Sequence, residues 1–498
     1  MPTAPQRAAL LLATSILLSR LLGYVRDAVL SWQFGATAQT DAYHAAFVLP
    51  DMLNYFLAGG ALSLAFLPAF HRAQAEGGET RAWGLFWNLT LTTAAIMLLG
   101  ITMAWWWCDT LVGWLFPGFG PDEHALTVRL TRIVLPGPLF FSLGGLINAT
   151  QMAGQRFGAT SLAPLVYNLS IVAGGTLAAP WLGVEGFSWG VIVGAFAGPL
   201  LTSLLFARRE LRGVRPMPLS DPAVRAYWWA ALPLLVGISL TTVDEWFGRW
   251  AASGLEDGSI TWLNNARRLM LVPVALIGQA VGTATLPFLS ARHTAGDHQE
   301  FDRTLDRALS LTWRLGFLAA AGLMVSGRWV IDVLYGHGAY DVADSMRTSA
   351  LLEVLCLAVP AWSAQAVISR AWYAQSRMWA PMLLLTLVSA TVAPLYAWWS
   401  AWAVEGIAWA TVVGTWLSVV ALVLPSRRVS AAVQRSTWRW VPRSALSVVP
   451  ALAVWWLLAR GADAVASVGW TVVSVLLLAV ALLVDDELRL VLTRRLRR

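Results

Sequence analysis

The sequence predicts an all-α, polytopic membrane protein with fourteen transmembrane helices. Three observations predict it. Charged residues are only 13% of the 498, about half the share a soluble domain carries, while 57% are hydrophobic and mean hydropathy is +0.61. The apolar runs exceed the roughly 18 residues that cross a bilayer. The polar breaks between those runs alternate between Arg-rich and Arg-free. Soluble multidomain enzymes and disordered scaffolds are excluded at this point.

The first run, 8–33, contains Arg20 and Arg26 and is followed by no A-x-A site, so it is expected to remain as a helix and not be cleaved as a signal peptide. Runs at 42–70, 82–107, 125–150, 160–180 and 184–206 complete a first group of six. A second six occupies 226–250, 259–290, 307–328, 345–373, 380–399 and 403–424, and two further runs lie at 444–460 and 465–484. Loops 71–81, 207–225, 291–306 and 425–443 hold Arg72, Arg208, Arg209, Arg212, Arg215, Arg292, Arg303, Arg427, Arg428, Arg435 and Arg439. Loops 34–40, 108–123, 181–183, 251–258 and 400–402 hold none. That asymmetry, with the even helix count, places both termini in the cytoplasm.

All 35 basic residues are Arg, and their loop positions explain the +7 charge as membrane orientation without a nucleic-acid partner. The 29 Trp cluster near span ends, as at Trp105–Trp107, Trp228–Trp229, Trp398–Trp399 and Trp455–Trp456, which an interfacial belt explains more simply than a sugar-stacking site. Two cysteines, Cys108 and Cys356, give no disulfide framework, and six scattered His give no metal cluster. No Walker A sequence or nucleophile–base pair occurs, so neither catalysis, a cofactor nor a built-in ATP engine is expected.

An internal repeat organises the chain. Val184-Glu185-Gly186 through Gly194 returns as Val404-Glu405-Gly406 through Gly414, Leu67-Pro68 returns as Leu286-Pro287, and Arg156 returns as Arg377. Three features at nearly one offset imply two six-helix lobes, 8–206 and 226–424, joined by the linker 207–225 and followed by the extra pair within 444–484. Lobes of six helices insert in the same orientation, as in a transporter that alternates access about a pseudo-two-fold along the membrane normal.

Ionisable groups inside spans are costly and therefore informative. Arg20, Arg26 and Asp27 lie in the first span; Asp41 and His44 open the second; Asp244, Glu245 and Arg249 lie in the seventh; Arg267 and Arg268 in the eighth; Glu353 and Arg370 in the tenth. Arg26–Asp27 and Asp244–Arg249 are expected as structural ion pairs. His44 is expected as a hydrogen-bonded structural histidine, with a proton relay beside Asp41 as the sharper alternative. No carboxylate nearby in sequence balances Arg267–Arg268. A cluster of guanidinium groups in a cavity calls for an anion, and Arg holds phosphate by bidentate hydrogen bonds. The residues alone therefore indicate a transporter of a phosphate-bearing or otherwise anionic substrate.

The run Ser19-Arg20-Leu-Leu-Gly23-Tyr-Val-Arg26-Asp27, then Phe34-Gly35-Ala36, Thr40-Asp41-Ala42-Tyr43 and Ala46-Phe47-Val-Leu-Pro50, resembles the MurJ (MviN) lipid II flippase family of the multidrug/oligosaccharidyl-lipid/polysaccharide exporter superfamily. Val243-Asp244, Gly258-Ser259-Ile260, Leu263-Asn264, Ala266, Arg268-Leu269 and Pro273 extend the resemblance into the second lobe. It implies a flippase of the bacterial inner membrane for undecaprenyl-pyrophosphate-linked peptidoglycan precursor. Membrane lipids and cell-wall polymerase machinery are the implied partners. It maps substrate binding onto Arg20, Arg26, Asp41 and Arg268, with Arg267 beside them, and a lipid-tail groove onto the last two helices. Where the family usually carries a cavity Arg and a Glu, this chain has Asn54 and Gly59, and Arg267 stands where Asp is common. Helix 380–399 lacks the Asn and Asp that bind sodium in some relatives. These departures leave a flippase for another polyprenyl-pyrophosphate-linked glycan, an O-antigen or exopolysaccharide unit, as the alternative. A cation-drug antiporter would want cavity carboxylates in place of the Arg cluster. A membrane glycosyltransferase would want acidic residues in loop 34–40, which has none.

Overall fold

The computed structural model describes residues 4–55, 61–236, 240–459 and 473. Among them every regular element is helical. Among the described residues eight helices are long and apolar enough to cross a membrane, nine if the bent pair Val342–Cys356 and Val359–Ala374 is one span. The fourteen expected from sequence are therefore not reached by this criterion. The expected span 465–484 lies outside the described residues, as do Gly59 and Gly60. Elsewhere the reason is covalent geometry. Helix Ala61–Trp106 runs through Gly77 and Gly78, whose backbone is not helical, and so takes in two expected spans.

Prolines break other spans that hydropathy reads as continuous. The expected span 42–70 is divided at Ala46–Phe47, between helices Ala38–Ala45 and Val48–Leu53, just before Pro50. The span 125–150 stays one crossing, Pro121–Ala153, with a step between helices Pro121–Val134 and Gly137–Ala153 at Pro136. The pair Val342–Cys356 and Val359–Ala374 bends by 43° beside Pro360. Proline has no N–H to give to the preceding turn and its ring crowds that turn's carbonyl, so the helix ends or bends there.

The sequence repeat has a backbone counterpart. Helix Gly158–Leu182 ends at Gly183, with φ 56° and ψ −139°, before helix Glu185–Ala195. Helix Trp379–Trp399 and the turn Ser400–Trp402 end at Ala403, with φ 60° and ψ −160°, where helix Ala403–Val423 begins. The two left-handed residues, 183 and 403, are separated by the repeat offset. Gln155 and Ser376 likewise both have positive φ, and the next residue's N–H reaches back to Gln151 O at 2.8 Å and Trp372 O at 3.1 Å. Each is a helix stop of Schellman type. Ala403 occupies a region that only glycine enters without strain. Ala403→Gly is expected to stabilise the protein by about 1 kcal/mol, after glycine's own entropic cost. Thermal unfolding of the purified variant checks this, and a lower midpoint would show that the turn is not strained.

Between Gly158–Leu182 and Glu185–Ala195 the chain brings backbones together through small residues spaced by four, Gly186, Gly190, Gly194 and Gly198. A Cβ on Gly190 would lie 2.7 Å from Ser170 O, and one on Gly194 2.8 Å from Tyr167 O. In a membrane, where lipid is as apolar as leucine, such close approach is what holds helices together.

Two compact units result. One comprises Met1–Gly237 with Glu256–Thr261 and His337–Tyr340; the other comprises Ile238–Leu255, Trp262–Gly336 and Asp341–Arg498. The first has a core around Phe66, Phe86 and Tyr227, and a second around Tyr43 and Phe187. The other unit is centred on Trp313, Val367, Ile368 and Trp372.

Candidate functional site

Helix Ala4–Phe34 carries the first two candidate cations. One face is tied to helix Gly158–Leu182: Ser15 Oγ donates to Ser161 O, and Asn168 Nδ2 donates to Ser19 Oγ at 3.3 Å and to Ser19 O at 3.4 Å. Arg20 is exposed, with no hydrogen bond or ion pair among the described residues. Arg26 Nε lies 3.0 Å from Asp27 Oδ1, with the carboxylate 3% exposed, so the expected Arg26–Asp27 pair is present. The helix thus fixes one guanidinium against a buried carboxylate and leaves the other open.

Asp41 is fully engaged. Its Oδ2 accepts from Gly258 N at 2.8 Å and Ile260 N at 3.3 Å, and its Oδ1 accepts from Thr261 N at 2.8 Å and Thr261 Oγ1 at 2.6 Å. Thr261 Oγ1 also reaches Thr40 Oγ1 at 3.0 Å. The three N–H groups are the unsatisfied donors at the start of helix Ser259–Val274, where the positive end of the helix dipole favours a carboxylate. Asp41 and Thr261 are 220 residues apart, the offset of the repeat. The sequence assigned Asp41 to substrate; here its lone pairs are committed to a helix start. Asp41→Ala would leave those donors without a carboxylate and is expected to destabilise the fold by about 2–4 kcal/mol. Asp41→Asn, keeping an acceptor, should lose less, and equal unfolding midpoints for all three proteins would remove the capping role. His44 is buried, its ring 5.5 Å from that of Tyr43.

The second candidate group differs from expectation. Arg267 is buried, its Nε 2.7 Å from Asp244 Oδ2 and its Nη2 donating to Asp244 O at 3.1 Å. Asp244 Oδ1 accepts from Tyr396 OH at 2.6 Å and from Thr411 Oγ1. Four helices therefore converge on one carboxylate. Gly248 makes room, since a Cβ there would sit 3.0 Å from Arg267 Nη2. Arg249 pairs with Glu245, Nη2 to Oε1 at 2.7 Å, and not with Asp244 as expected. The helical period explains this: residues four apart share a face, while five apart diverge by about 140°. Arg267 is accordingly corrected from an unbalanced cation to a neutralised one. Arg268, one position on and about 100° round the helix, is half-buried and within electrostatic reach of Glu245.

Arg370, also noted from sequence, donates to Ala366 O and Gln279 Oε1, both at 2.8 Å, and to Thr283 Oγ1 at 3.3 Å. Asn54 is exposed at the end of helix Val48–Leu53. Among the described residues no three His, Cys, Asp or Glu are placed to hold a metal ion. Sequence reading missed Tyr396, Thr411 and Thr261. Their only signal is a hydroxyl inside an otherwise apolar run, at matching depth to an unexplained carboxylate.

A family model described as "Lipid II flippase MurJ" matches residues 30–480. "Probable lipid II flippase MurJ" of Bdellovibrio bacteriovorus is 29% identical over 452 residues, covering 86% of this chain and 83% of that relative. Among solved structures, "Lipid II flippase MurJ, inward closed conformation" matches with TM-score 0.81 at 20% identity, covering 98% of this chain and all of that one. An inward-facing multidrug resistance MATE family transporter of the MOP superfamily matches with TM-score 0.70 at 13% identity, covering 84% and 96%. At those identities the two structures speak for the fold alone.

Proposed function

The chain belongs to the lipid II flippase MurJ family, and from that premise we propose that it moves lipid II across the bacterial inner membrane by alternating access. The observation that carries the reading is the family match over residues 30–480, which takes in nearly every expected span. It is a multi-pass membrane protein of a transporter family, not of a family of catalysts.

In the proposed mechanism Arg20 and Arg268 offer charge to the pyrophosphate, with Arg26 held in place by Asp27. Guanidinium groups suit this task, because a planar fork matches phosphate oxygens two at a time and stays charged at any physiological pH. The polyprenyl tail remains in lipid, along the helices within 444–484. The lobes 8–206 and 226–424 supply alternating access, a reading supported by the repeat. Both termini face the cytoplasm in this arrangement. Asp41 and Arg267 act indirectly: one caps the start of helix Ser259–Val274 and the other anchors that helix to Asp244, so that Arg268 is presented from a fixed element. Because Arg267 already neutralises Asp244, the cycle is proposed to run without sodium at that carboxylate.

The test is complementation in a bacterium whose own lipid II flippase can be switched off. Rescue by this chain is the expected result. Absence of rescue by a correctly inserted protein would favour another polyprenyl-pyrophosphate-linked glycan, with Asn54 the first position to exchange, since exchanging Arg267 would also strand Asp244.

A further inference from the structure

One end of the first compact unit holds a cavity that the proposed transport mechanism does not use. Its volume is about 270 Å³, and it opens where helix Ala61–Trp106, helix Gly137–Ala153 and the start of the linker 207–225 meet. Phe70 and Trp83, both buried, give it an aromatic wall, their ring planes at 85° to each other. The linker side is held in place: Trp87 Nε1 donates to Arg212 O at 2.8 Å, Met217 N to Gly84 O at 2.9 Å and Asn88 Nδ2 to Met217 O at 2.7 Å. The cavity is therefore formed before any ligand arrives.

Its polar groups are unevenly satisfied. The two carboxylates in its wall are answered within the protein, Glu79 by Arg212 and Glu210 by Arg156. Arg209 and His71, which also line it, have no hydrogen bond or ion pair among the described residues. The indole N–H of Trp83 makes no hydrogen bond among them either. What stays open is a cation and N–H donors beside aromatic rings, a set complementary to an anion carried on a flat ring. A volume just under the roughly 300–1,000 Å³ of small-molecule sites keeps that ligand small.

The internal repeat shows how the cavity arises. Arg156 returns as Arg377, so Gly154 corresponds to Gln375. Both follow a helix end with nearly the same backbone, φ −81° and ψ 11° at Gly154, φ −98° and ψ 16° at Gln375. Gln375 Nε2 donates to Val429 O at 2.7 Å and so ties its helix end to the segment that repeats Arg208–Arg209. Gly154 has no side chain to make that tie, and the cavity is lined from both of the corresponding segments.

We propose that this cavity binds a small phosphate ester of an aromatic ring compound, of the size of a nucleoside monophosphate, with Arg209 and His71 on the phosphate and Phe70 and Trp83 against the ring. The excess of Arg in loops 71–81 and 207–225 puts the site on the cytoplasmic side. It stands whether or not lipid II is the cargo.

The experiment uses the full chain in detergent, titrated with adenosine monophosphate, adenosine or inorganic phosphate, read by calorimetry and thermal shift. Adenosine monophosphate is expected to bind and raise the unfolding midpoint, with adenosine and inorganic phosphate each about tenfold weaker or more. Arg209→Gln should weaken its binding about tenfold. Gly154→Gln installs the residue of the other lobe and should abolish binding without disturbing the fold, because a Cβ there meets Gln151 O at an ordinary 3.4 Å. Arg208→Gln removes the same charge from a side chain outside the cavity wall and should bind as the wild type does. If Arg209→Gln does not fold, Gly154→Gln still decides. Wild-type binding in either cavity variant, an equal loss in Arg208→Gln, or no binding of adenosine monophosphate to the wild type would overturn the site. Inorganic phosphate or adenosine binding as tightly as the monophosphate would overturn the phosphate ester as its ligand.

Discussion

Arg267→Met is expected to lower stability by about 3–5 kcal/mol, the largest loss of any single substitution considered, because it strands a buried charge. Asp244 is 1% exposed on its side chain, and Arg267 is its counter-ion. Tyr396 and Thr411 donate hydrogen bonds to the same carboxylate but bring no charge. Methionine preserves most of the volume, so lost packing contributes little. Asp244→Asn in the same chain removes the stranded charge and should recover most of the deficit, since replacing both members of a buried pair is often near neutral. Thermal unfolding of the two variants and the wild type in one detergent reads this directly. If the double variant is no more stable than Arg267→Met, the pair is not what anchors these four helices.

Arg20→Ala and Arg268→Ala should each abolish rescue of a flippase-depleted strain while leaving the protein inserted at wild-type levels. Neither side chain is buried, so truncation opens no cavity in the core. What is lost is affinity for the pyrophosphate, where a charge-assisted hydrogen bond contributes about 1.5–3 kcal/mol, or more than tenfold in binding. Lysine at either position keeps the charge and loses the bidentate geometry, so partial rescue is the expected result. Arg26→Ala is a poorer probe, because it also leaves Asp27 buried without its partner. Full activity of both alanine variants would remove the arginine-held pyrophosphate from the mechanism.

Both results bear on how much was legible beforehand. Membrane class, approximate spans and the repeat follow from quantities that accumulate along the chain: hydropathy over some twenty residues, Arg in alternate loops, and a motif returning after 220 positions. The Arg26–Asp27 pair was legible because its members are adjacent. The Arg249–Glu245 pair was available from helical period, and Asp244–Arg249 was the wrong choice on that same ground. The breaks near Pro50 and Pro360 were visible as residues, but hydropathy averages across them, so broken spans were read as continuous.

By itself, then, the sequence determined that this is an all-helical membrane protein, which family it belongs to, and which side chains bear charge within its spans. Those properties are local or additive along the chain. Only the tertiary structure decided which charges are spent within the protein. Arg267 meets Asp244 across 23 residues, Asp41 meets Thr261 across 220, and Tyr396 and Thr411 reach Asp244 from more than 150 positions away. Such partners are set by how helices pack, and no spacing rule along the chain encodes them. Arg267 and Arg268 are neighbours of identical chemistry, and about 100° of helical rotation turns one into a buried strut and leaves the other half-exposed.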